Sequence, residues 1–300
     1  MRTLNIMIKR NTKLFFKDKG MFFTSLITPA ILLVLYSTFL GKIYKDSFAS
    51  ALPGGLNVPE KLINGCVGAQ LVSSILAVSC VTVAFCSNML MVQDKANGTL
   101  KDLTVSPVKP SLLAMSYYFS TLISTLIICV AAAVICLAYI AAVGWYMSFS
   151  DILFILLDIF LLVMFGTALS SIINFFLNSQ GQISAVGTVV SSGYGFICGA
   201  YMPISQFSKG LQRVICFLPG TYGTSLLRNH AMRGVYKEMS TLGFPSEIIE
   251  AIKDSVDCNL YFFGNKVEIE IMYLILGGSV ALLIAVYILM NIRRSKKAHI

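Results

Sequence analysis

The chain has 300 residues, 56% of them hydrophobic and 12% charged, with a net charge of +9. A typical soluble domain carries about 25% charged residues, so this composition excludes a soluble globular protein and specifies a chain that crosses a membrane several times. The basic excess does not indicate nucleic acid: segments 1–20, 93–110, 178–182 and 291–300 hold 13 Lys/Arg and 3 Asp/Glu, the remainder 10 and 11, which is the positive-inside bias of cytoplasmic segments.

Roughly 20 apolar residues cross a hydrocarbon core. Six uncharged stretches are long enough, near 21–41, 66–92, 111–143, 152–177, 183–202 and 270–290. Strand-type alternation is absent, so helices must satisfy the backbone in lipid. The expected fold class is an all-α integral membrane protein. Six transmembrane helices over 21–290 follow an N-terminal amphipathic helix, and an extracellular re-entrant helical hairpin precedes the last span.

In chain order, residues 1–20 carry Arg2, Lys9, Arg10, Lys13, Lys17 and Lys19 against Asp18, while Leu4, Met7, Ile8, Leu14 and Phe15 recur at near-helical spacing. That pattern predicts a basic amphipathic helix on the inner leaflet. The apolar run after it exceeds a signal-peptide core and no small-residue cleavage site follows, so an uncleaved first span is expected. Lys42–Lys61 reads as a short outer loop with Pro53, Gly54, Gly55 and Pro59.

The second span delivers the chain to a polar island, Gln93–Pro110, with five charges (Asp94, Lys95, Lys101, Asp102, Lys109), an Asn97-Gly98 turn signal and two prolines. Lipid does not accept such a segment, so it is read as a cytoplasmic loop. Gly144–Asp151 is an outer turn, with Trp145 and Tyr146 suited to the interface. Asn178–Gln182 is a tight inner loop. The fifth span repeats small residues at Gly187, Ser191, Gly195 and Gly199, a spacing that lets helices approach closely, so this span should pack against protein.

Beyond Pro203, two amphipathic segments of about a dozen residues meet at Leu218-Pro219-Gly220, each too short to span. A hairpin over 203–232 dipping into the outer leaflet fits, with Ser205 and Thr221 as N-caps. Residues 233–266 form a more polar outer insertion with a surface helix over Ser246–Val256. The last span ends in a basic cytoplasmic tail, 291–300.

No catalytic or nucleotide-binding set emerges. GxxxxGK[ST], GxSxG and HExxH are all absent, and His230 and His299 have no matched partners in sequence. The eight cysteines show no metal spacing; nothing in the sequence brings Cys216 near Cys258. Asp158 is the one acidic residue well within a span. It reads either as a proton or cation site or as a carboxylate satisfied by water and neighbours, and its shallow depth favours the second. Asn88 and Asn174 read as helix-packing hydrogen bonds.

The order of elements resembles the permease subunit of a type-2 ABC transporter, of the kind that exports drugs or lipids, over almost the whole chain. In the island, Asp94, Gly98, Thr99, Leu100, Leu103, Ser106 and Pro107 match that family's loop after the second span. Gly199-Ala-Tyr-Met-Pro203, Leu218-Pro-Gly-Thr-Tyr222 and Leu227-Arg228 are similar to its re-entrant hairpin. Gln93, Ala96, Asn97 and Lys101 depart from the family's acidic, arginine-rich loop.

The resemblance implies a multi-pass protein of the cell membrane, in a bacterial plasma membrane, with both termini cytoplasmic. Two cytoplasmic ABC ATPase subunits would dock on the chain and bind ATP and Mg; this chain would bind no cofactor and would not itself be an enzyme. Coupling would fall to Asp94, Lys95, Gly98, Thr99, Leu100, Asp102 and Leu103, and an outer gate to Pro203, Leu218, Pro219 and Tyr222. A second permease, identical or related, would complete the path within membrane lipid. The alternatives are an ATP-independent secondary transporter or channel, which needs intramembrane charges or matching halves, and an integral-membrane enzyme, for which no catalytic residues are found.

Overall fold

The computed structural model describes residues 2–42, 45, 58–105 and 108–297. Most of the expected outer loop 42–61, together with Ser106, Pro107 and His299, lies outside them.

Helix α1 (Arg2–Lys17) ends at Asp18, whose extended backbone breaks the helix while its Oδ1 accepts the Met21 N–H at 3.1 Å. That cap starts α2 (Lys19–Leu35) at 71° to α1, and a π-helical turn over Tyr36–Leu40 follows. The elbow lets α1 leave the direction of the first span and lie along α5 (Pro110–Val143), burying Met7, Asn11 and Phe15.

Helix α3 (Glu60–Ala96) is the pillar of the molecule. At 37 residues it is about 55 Å long, and 94% of its most apolar window is buried inside the protein. Small residues (Gly65, Gly68, Ala69, Ser73, Ser74, Ala77) let α2, α5, α6 (Phe149–Phe176), α7 (Gln180–Ile197) and α9 (Pro219–Thr241) close around it. Helix α6 opens on a Ser148/Asp151 capping box and α7 on a Ser179/Gln182 one.

The polar island is mostly helix rather than loop. Gln93–Ala96 finishes α3, Gly98 turns the chain at φ +81, and α4 (Thr99–Val105) follows. The sequence signals of charge and turn residues are compatible with a helix that ends outside lipid, so they could not separate the two.

Among the described residues, four helices are long and apolar enough to cross a membrane: α3, α5, α6 and α11 (Ile269–Lys297). The α1–α2 pair, bent by 71°, meets the same test when its two helices are taken together. The stretch expected as the 183–202 span forms α7 but does not reach the apolarity of the other four; Gln180, Gln182 and its hydroxyl and glycine residues dilute it.

The segment expected as the outer hairpin departs further from expectation. A 3-10 turn (Ile204–Gln206) and a seven-residue α8 (Lys209–Ile215) precede α9, so the hairpin arms are unequal and the second is 23 residues long, not a dozen. Neither expected N-cap serves. Ser205 lies within the 3-10 turn and α9 starts at Leu218, while the Thr221 hydroxyl donates to the carbonyls of Ile215 (3.1 Å) and Ile197 (3.3 Å). The insertion supplies α10 (Ser246–Ser255) and an antiparallel hairpin, β1 (Leu260–Phe262) and β2 (Asn265–Val267), paired Leu260 to Val267. Three-residue strands are too short to leave a period-2 signature in sequence.

Candidate functional site

The C-terminal end of α3 is braced on three sides by two adjacent residues of opposite charge. Asp94 is buried, and its Oδ2 accepts from Arg10 Nη1 of α1 at 2.8 Å and from the Tyr117 hydroxyl of α5 at 2.5 Å. Arg10 also reaches Asn11 Oδ1 at 2.8 Å. One carboxylate therefore ties three helices together by short, charge-assisted bonds.

Lys95 points the other way. Its ammonium donates to the carbonyls of Asn174 and Phe175 at 2.9 Å and of Leu177 at 3.1 Å. These are orphan carbonyls at the C-terminus of α6, where the helix dipole favours a cation. Asp94 and Lys95, expected as contacts for an external ATPase, are thus committed inward and fix the C-terminal end of α3 to the body of the protein. Their partners Arg10 and Tyr117 carry no signal in sequence spacing, being 84 and 23 residues from Asp94.

What the region offers outward is α4. Thr99, Leu100 and Leu103 are half-buried, the two leucines against the cluster of Met7, Phe15, Leu90, Met91 and Tyr117, and Lys101 and Asp102 are exposed. Gly98, at φ +81 with open space around its Cα, makes the turn between α3 and α4.

The small-residue stripe of α7 faces protein on one side only. A Cβ on Gly187 would lie 2.6 Å from Met89 Cε of α3, and one on Gly195 2.3 Å from the Tyr201 ring, while the Ser191 carbonyl accepts the Tyr201 hydroxyl at 3.3 Å. The opposite face, Ser184, Thr188, Val189, Ser192 and Phe196, is exposed. Its hydroxyls are satisfied by carbonyls one turn back: Ser184 to Gln180, Thr188 to Ser184 and Ser192 to Thr188. The expected tight packing therefore holds for one face of this helix.

Leu218, Pro219 and Tyr222, expected at an outer gate, form one corner between α8 and α9. Pro219 takes the first helical position, where its missing N–H costs nothing. The buried Tyr222 hydroxyl donates to the Cys216 carbonyl at 2.6 Å and locks the corner. Pro203 stands at the far end of the segment, ahead of the 3-10 turn.

Behind this corner lies a buried arginine, Arg228, 1% exposed. Nη1 donates to the Val256 carbonyl (2.6 Å) and approaches Asp257 (3.5 Å); Nη2 donates to the Gly199 carbonyl (3.0 Å) and Ser74 Oγ of α3 (3.2 Å). Asp257 Oδ2 also accepts the Ile204 N–H at 2.8 Å. One residue thus links the pillar, the end of α7 and the insertion. Burial pushes the Asp257 carboxyl up to about 6, against the opposing pull of Arg228 and the Ile204 and Ser205 N–H groups.

Asp158 and His230 turn out to be partners. Asp158, 0% exposed on α6, meets His230 Nδ1 of α9 at 2.7 Å and accepts the Tyr273 hydroxyl of α11 at 2.6 Å; His230 stacks on Phe154 at 4.9 Å. His230 is therefore buried and paired rather than in polar surroundings without a partner. Seventy-two residues separate the two; the only sequence signal was that a buried Asp158 needed a donor. Asn88 behaves as expected, its Nδ2 donating to Ser170 (3.0 Å) and Ser171 (2.9 Å), whereas the Asn174 Nδ2 has no hydrogen bond among the described residues.

All eight cysteines are free thiols. Cys216 Sγ turns to the Tyr261 carbonyl at 3.3 Å and buried Cys258 to the Tyr236 hydroxyl at 3.3 Å. Among the described residues no cluster of His, Cys, Asp or Glu suits a metal ion.

A family model described as ABC-2 type transporter matches residues 2–231. No curated protein matches the chain.

Proposed function

Because the chain belongs to the ABC-2 type transporter family, as its membrane-spanning permease, we propose that it is the transmembrane half of an ATP-driven exporter. Two cytoplasmic ATPase subunits bind beneath α4, and a second permease, identical or related, completes the path. The chain crosses the membrane six times, α7 included, with both ends in the cytoplasm, as the Lys/Arg bias favours. No ATP site is assigned to this chain; ATP and Mg belong to the partner subunits.

The observation that carries the reading is the bracing of the end of α3, from which α4 continues. The exposed α4 residues Lys101 and Asp102 stand seven residues beyond Asp94 and Lys95, which fasten α3 to α1, α5 and α6. A push on α4 is therefore delivered to four helices at once. Helix α3 carries it some 30 Å to Ser74 and Arg228, and so to the corner of Leu218, Pro219 and Tyr222 that closes the outer end. Thr99, Leu100 and Leu103 seat α4 on the bundle, while Gly98 allows the turn. The open hydroxyl face of α7 suits a shared conduit between two permeases, since its Oγ atoms can exchange carbonyl partners for water.

Tagged protein purified from its own membranes should bring with it a subunit bearing GxxxxGK[ST] and ATPase activity. Gly98→Pro, which a φ of +81 does not permit, should abolish transport while leaving membrane insertion intact. Transport at the native rate in that variant would reject the role of α4.

A second reading is favoured by the Asp158–His230–Tyr273 cluster, because ionisable groups inside a membrane usually serve a proton or ion path. It makes the chain an ATP-independent secondary transporter. Uptake or release by vesicles containing this chain alone, driven by a pH gradient and lost in Asp158→Asn, would establish it.

A further inference from the structure

The insertion 233–266 is left without a task by the transport cycle, yet it builds one wall of a cavity of about 580 Å³ at the outer face. The other wall is α8. Lys209 and Arg213, one helical turn apart, both line it. Among the described residues neither cation has an ion-pair partner; Arg213 instead lies over the Phe263 ring at 5.9 Å.

The two carboxylates that share the cavity are already engaged. Asp257 is held by Arg228 and the Ile204 N–H. Asp254 Oδ1 accepts from Asn259 Nδ2 at 2.7 Å and the Tyr261 hydroxyl at 2.9 Å. Lys209 and Arg213 are therefore the charged side chains of the cavity that have no hydrogen-bond or ion-pair partner among the described residues.

The rim is apolar and uncovered. Val214 (59% exposed), Phe217 (62%) and Phe263 (63%) project from α8 and the β-hairpin, and the rings of Phe217, Phe262 and Phe263 meet edge to face at 4.9 to 6.0 Å. The hairpin turn needs two residues with positive φ, a geometry that favours Asn or Gly. Phe263 nevertheless occupies the first position at φ +49, before Gly264 at +88. A bulky aromatic in that sparsely populated region, still 63% exposed after its contacts with Arg213, Phe217 and Phe262, points to a contact beyond this chain. Glu268 alone separates β2 from the membrane-crossing α11, so that contact lies at the surface of the bilayer.

We propose that the cleft between α8 and the β-hairpin holds the headgroup of an anionic phospholipid of the outer leaflet. Lys209 and Arg213 bind the phosphate, and Phe217, Phe262 and Phe263 embed in the acyl region beneath it. Cations beside exposed aromatics are the arrangement by which proteins hold anionic membrane surfaces. The site anchors the outer cap to the leaflet, independently of whether ATP drives transport.

The test places a reporter at the tip. Full-length protein carrying Trp145→Phe and Phe263→Trp, which keeps an aromatic over Arg213, has its one tryptophan in the cleft. It is reconstituted in vesicles with brominated phosphatidylglycerol or brominated phosphatidylcholine, and quenching is titrated against the brominated fraction. The expected preference for phosphatidylglycerol is roughly thirtyfold, the value for two surface cations. It should vanish in Lys209→Gln/Arg213→Gln while quenching by either lipid persists. Absence of quenching overturns the proposal by placing the tip outside the membrane, on a protein partner or in water. Equal quenching by both lipids, unchanged in the double variant, overturns the headgroup site. Loss of the preference on adding inorganic phosphate to the wild-type pair assigns the cleft to a free anion and overturns the lipid.

Discussion

Removing one carboxylate at the end of α3 should loosen the hold on α1. Asp94→Ala deprives Arg10 and Tyr117 of their shared acceptor, which they reach at 2.8 and 2.5 Å. Of these two bonds only that of Arg10 joins α1 to the bundle, because Asp94 sits on α3 and Tyr117 on α5. The Arg10 side chain is 29% exposed and can turn to water, so its loss is taken at about 1 kcal/mol, or roughly fivefold in the equilibrium by which α1 detaches from α5. Hydrogen exchange of the full-length protein in lipid nanodiscs reads that opening directly: amides of residues 2–17 should exchange roughly fivefold faster. The buried Tyr117 hydroxyl, left without its acceptor, costs the fold as a whole about 2 kcal/mol. Adding Tyr117→Phe to Asp94→Ala should therefore recover part of the lost melting temperature, while Tyr117→Phe alone should leave the exchange of residues 2–17 nearly unchanged. Unchanged exchange there in Asp94→Ala would show that α1 is held by its apolar face alone, and the account of a braced lever would fail.

Lys95→Met should leave α1 protected but speed exchange at residues 174–177, since the carbonyls it caps lose a cation worth about 1 kcal/mol or more. The raised Asp257 carboxyl sets a pH dependence of defined sign. Its contribution to stability is complete below its ordinary value of 3.8 and is lost as pH rises through about 6, a difference of about 3 kcal/mol. Thermal unfolding of wild type minus Asp257→Asn, followed across pH 4 to 6, should fall with rising pH; a flat or rising difference would contradict it. Gly234→Ala should sharply lower the yield of folded protein, because its Cβ would lie 1.8 Å from the Tyr146 carbonyl oxygen and backbone cannot retreat as a side chain can. Normal yield and melting temperature would show that the turn after α5 is looser than described.

The spans α3, α5, α6 and α11 were legible because apolarity over twenty or more residues has few other causes. Their neighbours were harder to read. Helix α7 mixes Gln, Ser, Thr and Gly into its length, so its apolarity falls below that of the spans even though it is helical from 180 to 197. The hairpin arms were misjudged because Pro219 starts α9 rather than ending a helix, and polar residues such as Asn229, His230 and Arg233 concealed a helix that is buried on three sides. The candidate site was half legible. Charges at 94 and 95 marked the end of the apolar stretch, but charge alone cannot say whether a residue faces a partner or the protein's own interior. Asp94 and Lys95 face inward because Arg10, Tyr117 and the end of α6 converge there, a fact of tertiary geometry. Asp158 likewise signalled a need for a partner without singling out His230, since pairing across helices leaves no periodic trace.

The central claim is that α4 receives force from an ATPase subunit. A photoreactive amino acid at Asp102, exposed on α4, should on irradiation of native membranes link the chain to a subunit containing GxxxxGK[ST], and the same group at Lys209 on the outer face should not. Capture of that subunit from Asp102 alone is the predicted result. Failure to capture it, in membranes where the chain still moves cargo, would contradict the account.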